Sequence, residues 1–145
     1  MKKIITLIIL FIGVSVSACS CLKSKFGKKD YANASYIVQG KILKIVTDTE
    51  AYQKVITLEV YKTYKGDEKE TLEIRTGMGG GDCGLMVKEG DKWLLFVNTF
   101  NGKNNVSICD KNVRYTRGEE QTDAALENEC DRMLSYIKKI KKYKE

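Results

Sequence analysis

Five cysteines carry most of the chemistry open to this chain. They stand at positions 19, 21, 83, 109 and 130 of 145 residues. Two of them form the stretch Cys19-Ser20-Cys21. A thiol there has three uses: a bridge to another cysteine, a thioether to a lipid, or a thiolate ligand to a metal shared with Cys83 and Cys109. The chain has no histidine, so the commonest zinc ligand and the commonest general base are both missing. No nucleophile–base pair replaces it, so an enzyme is not expected. The run Gly-Met-Gly-Gly-Gly-Asp-Cys-Gly, 77–84, contains Gly79-x-Gly81-x-x-Gly84, the letters of a dinucleotide fingerprint. That fingerprint works only where a strand gives way to a helix N-terminus. Here strand-like residues 86–97 follow, and no lysine sits where a phosphate-binding loop needs one. The glycines read instead as a flexible connection to Cys83, permitting close backbone approach and positive φ.

What precedes Cys19 bears on its fate. Met1-Lys2-Lys3 is followed by an apolar run, Ile4 to Val14, and then by Ser15-Val16-Ser17-Ala18. A basic start, a short apolar run and small residues make a secretory signal peptide. The run is too short to span a bilayer, which takes about 20 residues. A cut in front of Cys19 is expected, leaving 19–145 as one exported domain with a modest core. Val16 and Ala18 suit an ordinary signal peptidase, which leaves Cys19 as a free N-terminus. Val16-Ser17-Ala18-Cys19 also resembles a bacterial lipobox. In that case Cys19 carries a diacylglycerol thioether, usually with an acylated amine, and tethers the protein to a membrane. Oxidising surroundings favour a disulfide framework over a metal site.

The full chain has 25 Lys+Arg against 19 Asp+Glu, net +6; loss of Lys2 and Lys3 lowers that by two. Much of the excess lies at the end, in Lys138, Lys139, Lys141, Lys142 and Lys144. Such a run is either a solvated helix end that complements the helix dipole or a surface for an acidic partner.

The elements that must position the cysteines are mostly strands. Residues 30–34 suit one helical turn. Tyr36–Val46 starts solidly apolar and then alternates, with Gly40 marking a bend or bulge. Residues 54–64 and 71–76 alternate cleanly, and Lys65-Gly66-Asp67 is a turn signal. Residues 92–98 are continuously apolar, as in a strand buried on both faces. Residues 104–109 alternate again. Five strands with turns between them predict a mainly β fold, a small barrel or sandwich. At the end, Leu126, Cys130, Met133, Ile137 and Ile140 form one face of a helix, with Thr116 or Thr122 near its start. That helix either docks on the barrel or seeks a partner or membrane surface. Cys130 lies on its apolar stripe, as a buried thiol would.

Taken in order, these pieces resemble the netrin-like domain family, and within it the inhibitory N-terminal domain of tissue inhibitors of metalloproteinases. That family opens with Cys-x-Cys after the signal peptide, as Cys19-Ser20-Cys21 does. A short helix and a strand follow, which residues 31–42 resemble. Next come a strand ending near Tyr-Lys-Gly (64–66), a loop with Cys-Gly (83–84), a Gly-x-x-aromatic-Leu strand (90–94), a further cysteine (109) and a last helix. The resemblance covers nearly all of 19–145. It implies a five-stranded OB barrel with a short N-terminal helix and a C-terminal helix, bridged Cys19–Cys83 and Cys21–Cys109. The family's third bridge starts near position 32, where this chain has Ala32, so Cys130 is expected unpaired. The resemblance is to that first domain alone, and a counterpart of the animal inhibitors' second domain is not expected within residues 19–145.

The resemblance also implies a mechanism with no cofactor and no metal of the chain's own. The α-amine and carbonyl of Cys19 would chelate the zinc of a metalloendopeptidase, Ser20 would enter the specificity pocket, and Cys21, Leu22, Gly81 and Asp82 would line the same cleft. Asp82 departs from the family, where an apolar or small residue is usual. Lipidation and inhibition exclude each other, because a thioether uses the sulfur and an acyl group blocks the amine. The competing reading is a secreted or lipid-anchored protein-binding module with no inhibitory activity. Nucleic acid, common for OB barrels, is not expected: no strand face combines aromatic and basic residues.

Overall fold

The computed structural model describes residues 19–21, 24–116 and 123–145, the side chains of residues 123 and 126 excepted. The expected leader 1–18, Leu22, Thr122 and the Leu126 side chain lie outside the described residues. Helix α1 is Lys28–Asn33. Six strands follow: β1 Tyr36–Asp48, β2 Gln53–Lys65, β3 Thr71–Gly77, β4 Lys92–Phe100, β5 Lys103–Asn105 and β6 Val113–Thr116. Helix α2, Asp123–Lys144, comes last.

Strands β1, β2 and β3 form an antiparallel meander. Strand β3 meets β5 in parallel at Arg75 and Asn105, β5 pairs antiparallel with β4, and β4 pairs antiparallel with β1. The circuit is a closed five-stranded barrel in the OB arrangement. The β4–β5 hairpin turns on Asn101-Gly102, both at positive φ (49° and 73°), the pattern of a two-residue type I′ turn. Gly40 is the corner the sequence suggests. It sits at a bulge in β1, between Val60 of β2 and Trp93 of β4. A Cβ there would run into the Glu59 carbonyl oxygen, so only glycine lets β1 coil tightly enough to pair on both sides.

Two apolar cores share β4. Trp93, Leu95 and Val97 point into the barrel with Val38, Ile42, Ile56, Leu58, Leu72 and Ile74. Leu94 and Phe96 point outward with Ile37, Val113 and Tyr115, and α2 covers them through Met133 and Ile140. That double burial explains why residues 92–98 lack alternation. The end helix therefore docks on the barrel. Ile140 is 1% exposed, while Cys130 and Ile137 are only half-buried. Ile140→Ala should cost about 2–5 kcal/mol, and Ile137→Ala distinctly less, measured as the fall in urea-unfolding free energy. Equal, negligible costs would mean that α2 does not rest on this face.

The fifth strand is shorter than the alternation of 104–109 predicts. It ends at Asn105 because the Asp110 carboxylate accepts from Ser107 N at 2.6 Å, and Asp110 N donates to the Ser107 carbonyl at 3.2 Å. The side chain closes a turn that competes with the strand ladder. Cys109 thus lies on a turn, not at a strand end. The sequence reading also missed β6, four residues that pair with β4 from Lys92 to Leu94 and carry the outer sheet toward α2. Helix α1 starts two residues earlier than expected, with the Asp30 carboxylate accepting from Gly27 N at 2.8 Å.

Candidate functional site

The segment 19–21 is held at one surface by two disulfides. Cys19 bridges to Cys83, in the loop between β3 and β4, with Cα atoms 5.5 Å apart. Cys21 bridges to Cys109, on the turn after β5, with Cα atoms 5.1 Å apart. These are the pairs that the resemblance implies. The two receiving loops are themselves joined, since Ile108 N donates to the Cys83 carbonyl at 3.0 Å. Beyond Cys21, Lys111 Nζ donates to the Ser24 carbonyl and hydroxyl at 2.8 and 2.9 Å. Phe26 then plugs into an aromatic cluster, its ring 5.2 Å from Phe96 and 5.1 Å from Tyr136. Two covalent ties, one lysine clamp and one buried ring therefore hold residues 19–21 and 24–26, which among the described residues are in no helix or strand. Ser20, between the bridges, is exposed.

Gly81 and Asp82 reach this surface through the same loop and are both exposed. The loop depends on backbone that few residues adopt: Gly79, Gly80 and Gly81 have φ of 85°, 91° and 139°, and Cys83 has 59°. The glycine run leads into β4 and not into a helix, so the setting a dinucleotide fingerprint requires is not the one formed here. Asp82 is engaged inside the loop. Its carboxylate accepts from Met78 N, Gly79 N and Gly84 N at 2.5, 2.8 and 3.1 Å. A Cβ at Gly77 would strike that carboxylate, and one at Gly84 would strike the Gly77 carbonyl. Gly77, Asp82 and Gly84 form one interlocked unit, and the sequence reading missed it. The signal was present: an aspartate in a glycine run commonly bonds to nearby backbone N–H groups.

The carboxylates under the two bridges respond to pH in opposite directions. At Asp82 desolvation raises the pKa, but the N–H groups of Gly84, Met78 and Gly79 outweigh it and hold it below the usual carboxylate range. At Asp110 burial dominates and pushes it up, against hydrogen bonds from Ser107 and Asn98. A lowered carboxyl stabilises the folded loop above its unfolded pKa, near ~3.9, and that stabilisation is lost as pH falls through the folded value. A raised one contributes in the reverse sense, most below the unfolded pKa. Acidification through this range should therefore loosen the Cys83 loop before the Cys109 turn. In amide NMR spectra Gly79 and Gly84 should lose protection while Ser107 keeps it, although the Ser107 signal should move first, because its acceptor Asp110 takes up a proton at the higher pH. Simultaneous loss at all three would show that Asp82 does not set the loop.

Two further exposed apolar residues border the segment. Ile108 is 45% exposed and adjoins Cys83, and Met86 is 64% exposed with its Sδ over Gly79. Leu22, expected in the same surface, lies outside the described residues. Four of the five cysteines are in bridges, so the alternative of a cysteine metal site has lost its thiolates. Among the described residues no group of three or more His, Cys, Asp or Glu is placed to hold a metal. Cys130 is a free thiol, its Sγ 3.8 Å from the Tyr115 carbonyl, consistent with a side chain on the docked helix.

Comparison with protein-family models and with curated proteins finds no match to this chain.

Proposed function

We propose that the protein is an exported netrin-like inhibitor of zinc metalloendopeptidases, acting through Cys19 once the leader is removed. One observation carries this reading: a Cys-x-Cys segment, half-buried at both cysteines and exposed at Ser20 between them, is tied by Cys19–Cys83 and Cys21–Cys109 to two adjoining loops of an OB barrel. Cleavage before residue 19 turns its amide nitrogen into an α-amine. That amine and the Cys19 carbonyl oxygen form a two-point chelate for the zinc of a protease, and the bridge to Cys83 holds them in place without further ordering cost. Ser20 enters the pocket beside the metal. Asp82, turned into its own loop, stiffens that surface and does not offer a bare carboxylate to the partner.

The amine binds metal only when neutral, and an α-amino group titrates near ~8. Inhibition should therefore weaken as pH falls from about 8 to about 6. The test is hydrolysis of a fluorogenic peptide by a zinc endopeptidase titrated with the mature protein at both pH values. Tight inhibition at the higher pH, weaker at the lower, is expected. No inhibition at any pH would leave the second reading, a protein-binding module on the same barrel. The lipobox-like Val16-Ser17-Ala18-Cys19 favours that reading.

A further inference from the structure

Eight lysines gather at one end of the molecule. Lys25, Lys28 and Lys29 surround Phe26 and open α1, and Lys138, Lys139, Lys141, Lys142 and Lys144 fill the last turns of α2. Aromatic packing brings the two groups together. The Phe26 ring lies 5.1 Å from Tyr136 and 5.9 Å from Tyr143, and Tyr31 lies 6.2 Å from Tyr143. All of the lysines but Lys139 are exposed. Among the described residues none of the eight enters an ion pair or lies over a ring: the ion pairs use Arg75 and Arg114, and the ring-stacked cations are Lys62, Lys65, Lys69 and Arg114. The acids beside them are few, with Glu145 next to Lys144. No acid lies between Tyr136 and Lys144, and Asp30 is committed to Gly27 N.

We propose that this end of the protein docks on a membrane surface bearing anionic phospholipid headgroups. At 1.5 Å per residue, Lys138 to Lys144 spans about 9 Å, roughly one Debye length at physiological salt, so their charges act together. Every member is lysine and none is arginine. Arginine's planar fork suits one defined phosphate or carboxylate, whereas flexible, hydrated ammonium groups suit a smeared layer of negative charge. The nearby aromatic rings are packed against one another in tilted and edge-on pairs, which argues against a partner that needs bases laid on open ring faces. Met133 and Ile140 of α2 are buried against the barrel, and no described helix is long and apolar enough to cross a membrane. Attachment through this end is therefore peripheral, reversible and electrostatic. It stands on the lysines and is independent of the inhibitory reading.

The test is co-sedimentation of the purified full chain with vesicles of phosphatidylcholine alone and with a third phosphatidylglycerol, at physiological salt and severalfold above it. The quantity read is the increment that phosphatidylglycerol adds. Two variants carry equal charge changes: Lys138→Gln/Lys141→Gln/Lys142→Gln at the patch, and Lys44→Gln/Lys88→Gln/Lys103→Gln at exposed sites elsewhere. The expected result is an increment that disappears at high salt and falls at least about tenfold in the patch variant, with the second variant within about twofold. Circular dichroism checks that both are folded. Equal losses in the two variants would overturn the proposal by reducing it to net charge. No phosphatidylglycerol increment would also overturn it, including the case where the chain binds duplex DNA or an acidic protein instead.

Discussion

Mature protein with one extra alanine ahead of Cys19 is expected to lose about a thousandfold or more in affinity for a zinc endopeptidase, the loss seen when a central anchor of an interface is removed. The expectation is sharp because the change touches so little. Both disulfides lie downstream of the added residue. So do the Lys111 clamp on Ser24 and the Phe26 plug. The barrel, its stability and the exposed Ser20 should all be unchanged. What is lost is the lone pair of the residue-19 nitrogen, which becomes an amide, and the space it needs beside the metal. Inhibition constants for the two forms, measured side by side with their unfolding curves, check this. Undiminished inhibition by the extended form would mean that any inhibition comes from elsewhere on the surface, with the exposed Met86 and Ile108 the first residues to examine.

The second large effect concerns the tie that holds the segment down. Replacing Cys21 and Cys109 together with serine opens a loop with a sequence separation of 88. In the chain-entropy model such a loop contributes roughly 4 kcal/mol. With a urea slope of about 2 kcal/mol per molar, the midpoint should fall by roughly 2 M. The slope itself should change little if the barrel still closes through β3–β5 and β4–β1. The Cys21 end would also be freed from the Cys109 turn, so inhibition should weaken in the same variant even where it remains folded. An unchanged midpoint would show that the bridge does not constrain the unfolded chain, and recovery of Cys21 and Cys109 as free thiols in untreated protein would remove the framework altogether.

The barrel was largely legible because its strands obey a simple rule. Residues 54–64 and 71–76 alternate, so one face had to be buried, and 92–98 does not, so both faces had to be. Gly40 inside β1 signalled a corner, and the contact with Glu59 supplies the steric reason. Strand β6 was hidden because four residues are too few to show a period, and its pairing is fixed by β4 and α2, far away in sequence. Residues 106–109 misled for a related reason. Their alternation is real, but the Asp110 side chain captures Ser107 N and ends the ladder. In the candidate site, Cys19, Ser20, Cys21, Gly81 and Asp82 were all singled out, and the bridges bring them to one surface. The orientation of Asp82 was not legible. A carboxylate in an exposed loop reads as available to a partner, yet the backbone N–H groups of Met78, Gly79 and Gly84 draw it inward, in a loop whose Gly79, Gly80 and Gly81 take positive φ. Loop geometry of that kind depends on dihedral angles that letters do not specify.

Intact mass, taken without reduction on protein recovered from the cells that make it, tests the state of Cys19 most directly. A free, bridged N-terminal cysteine predicts the mass of residues 19–145 less four hydrogens, two for each of Cys19–Cys83 and Cys21–Cys109, with Cys130 as the single thiol open to alkylation after unfolding. A mass higher by a diacylglycerol and an acyl chain would contradict it, because the sulfur could not then bridge to Cys83 and the nitrogen could not bind zinc.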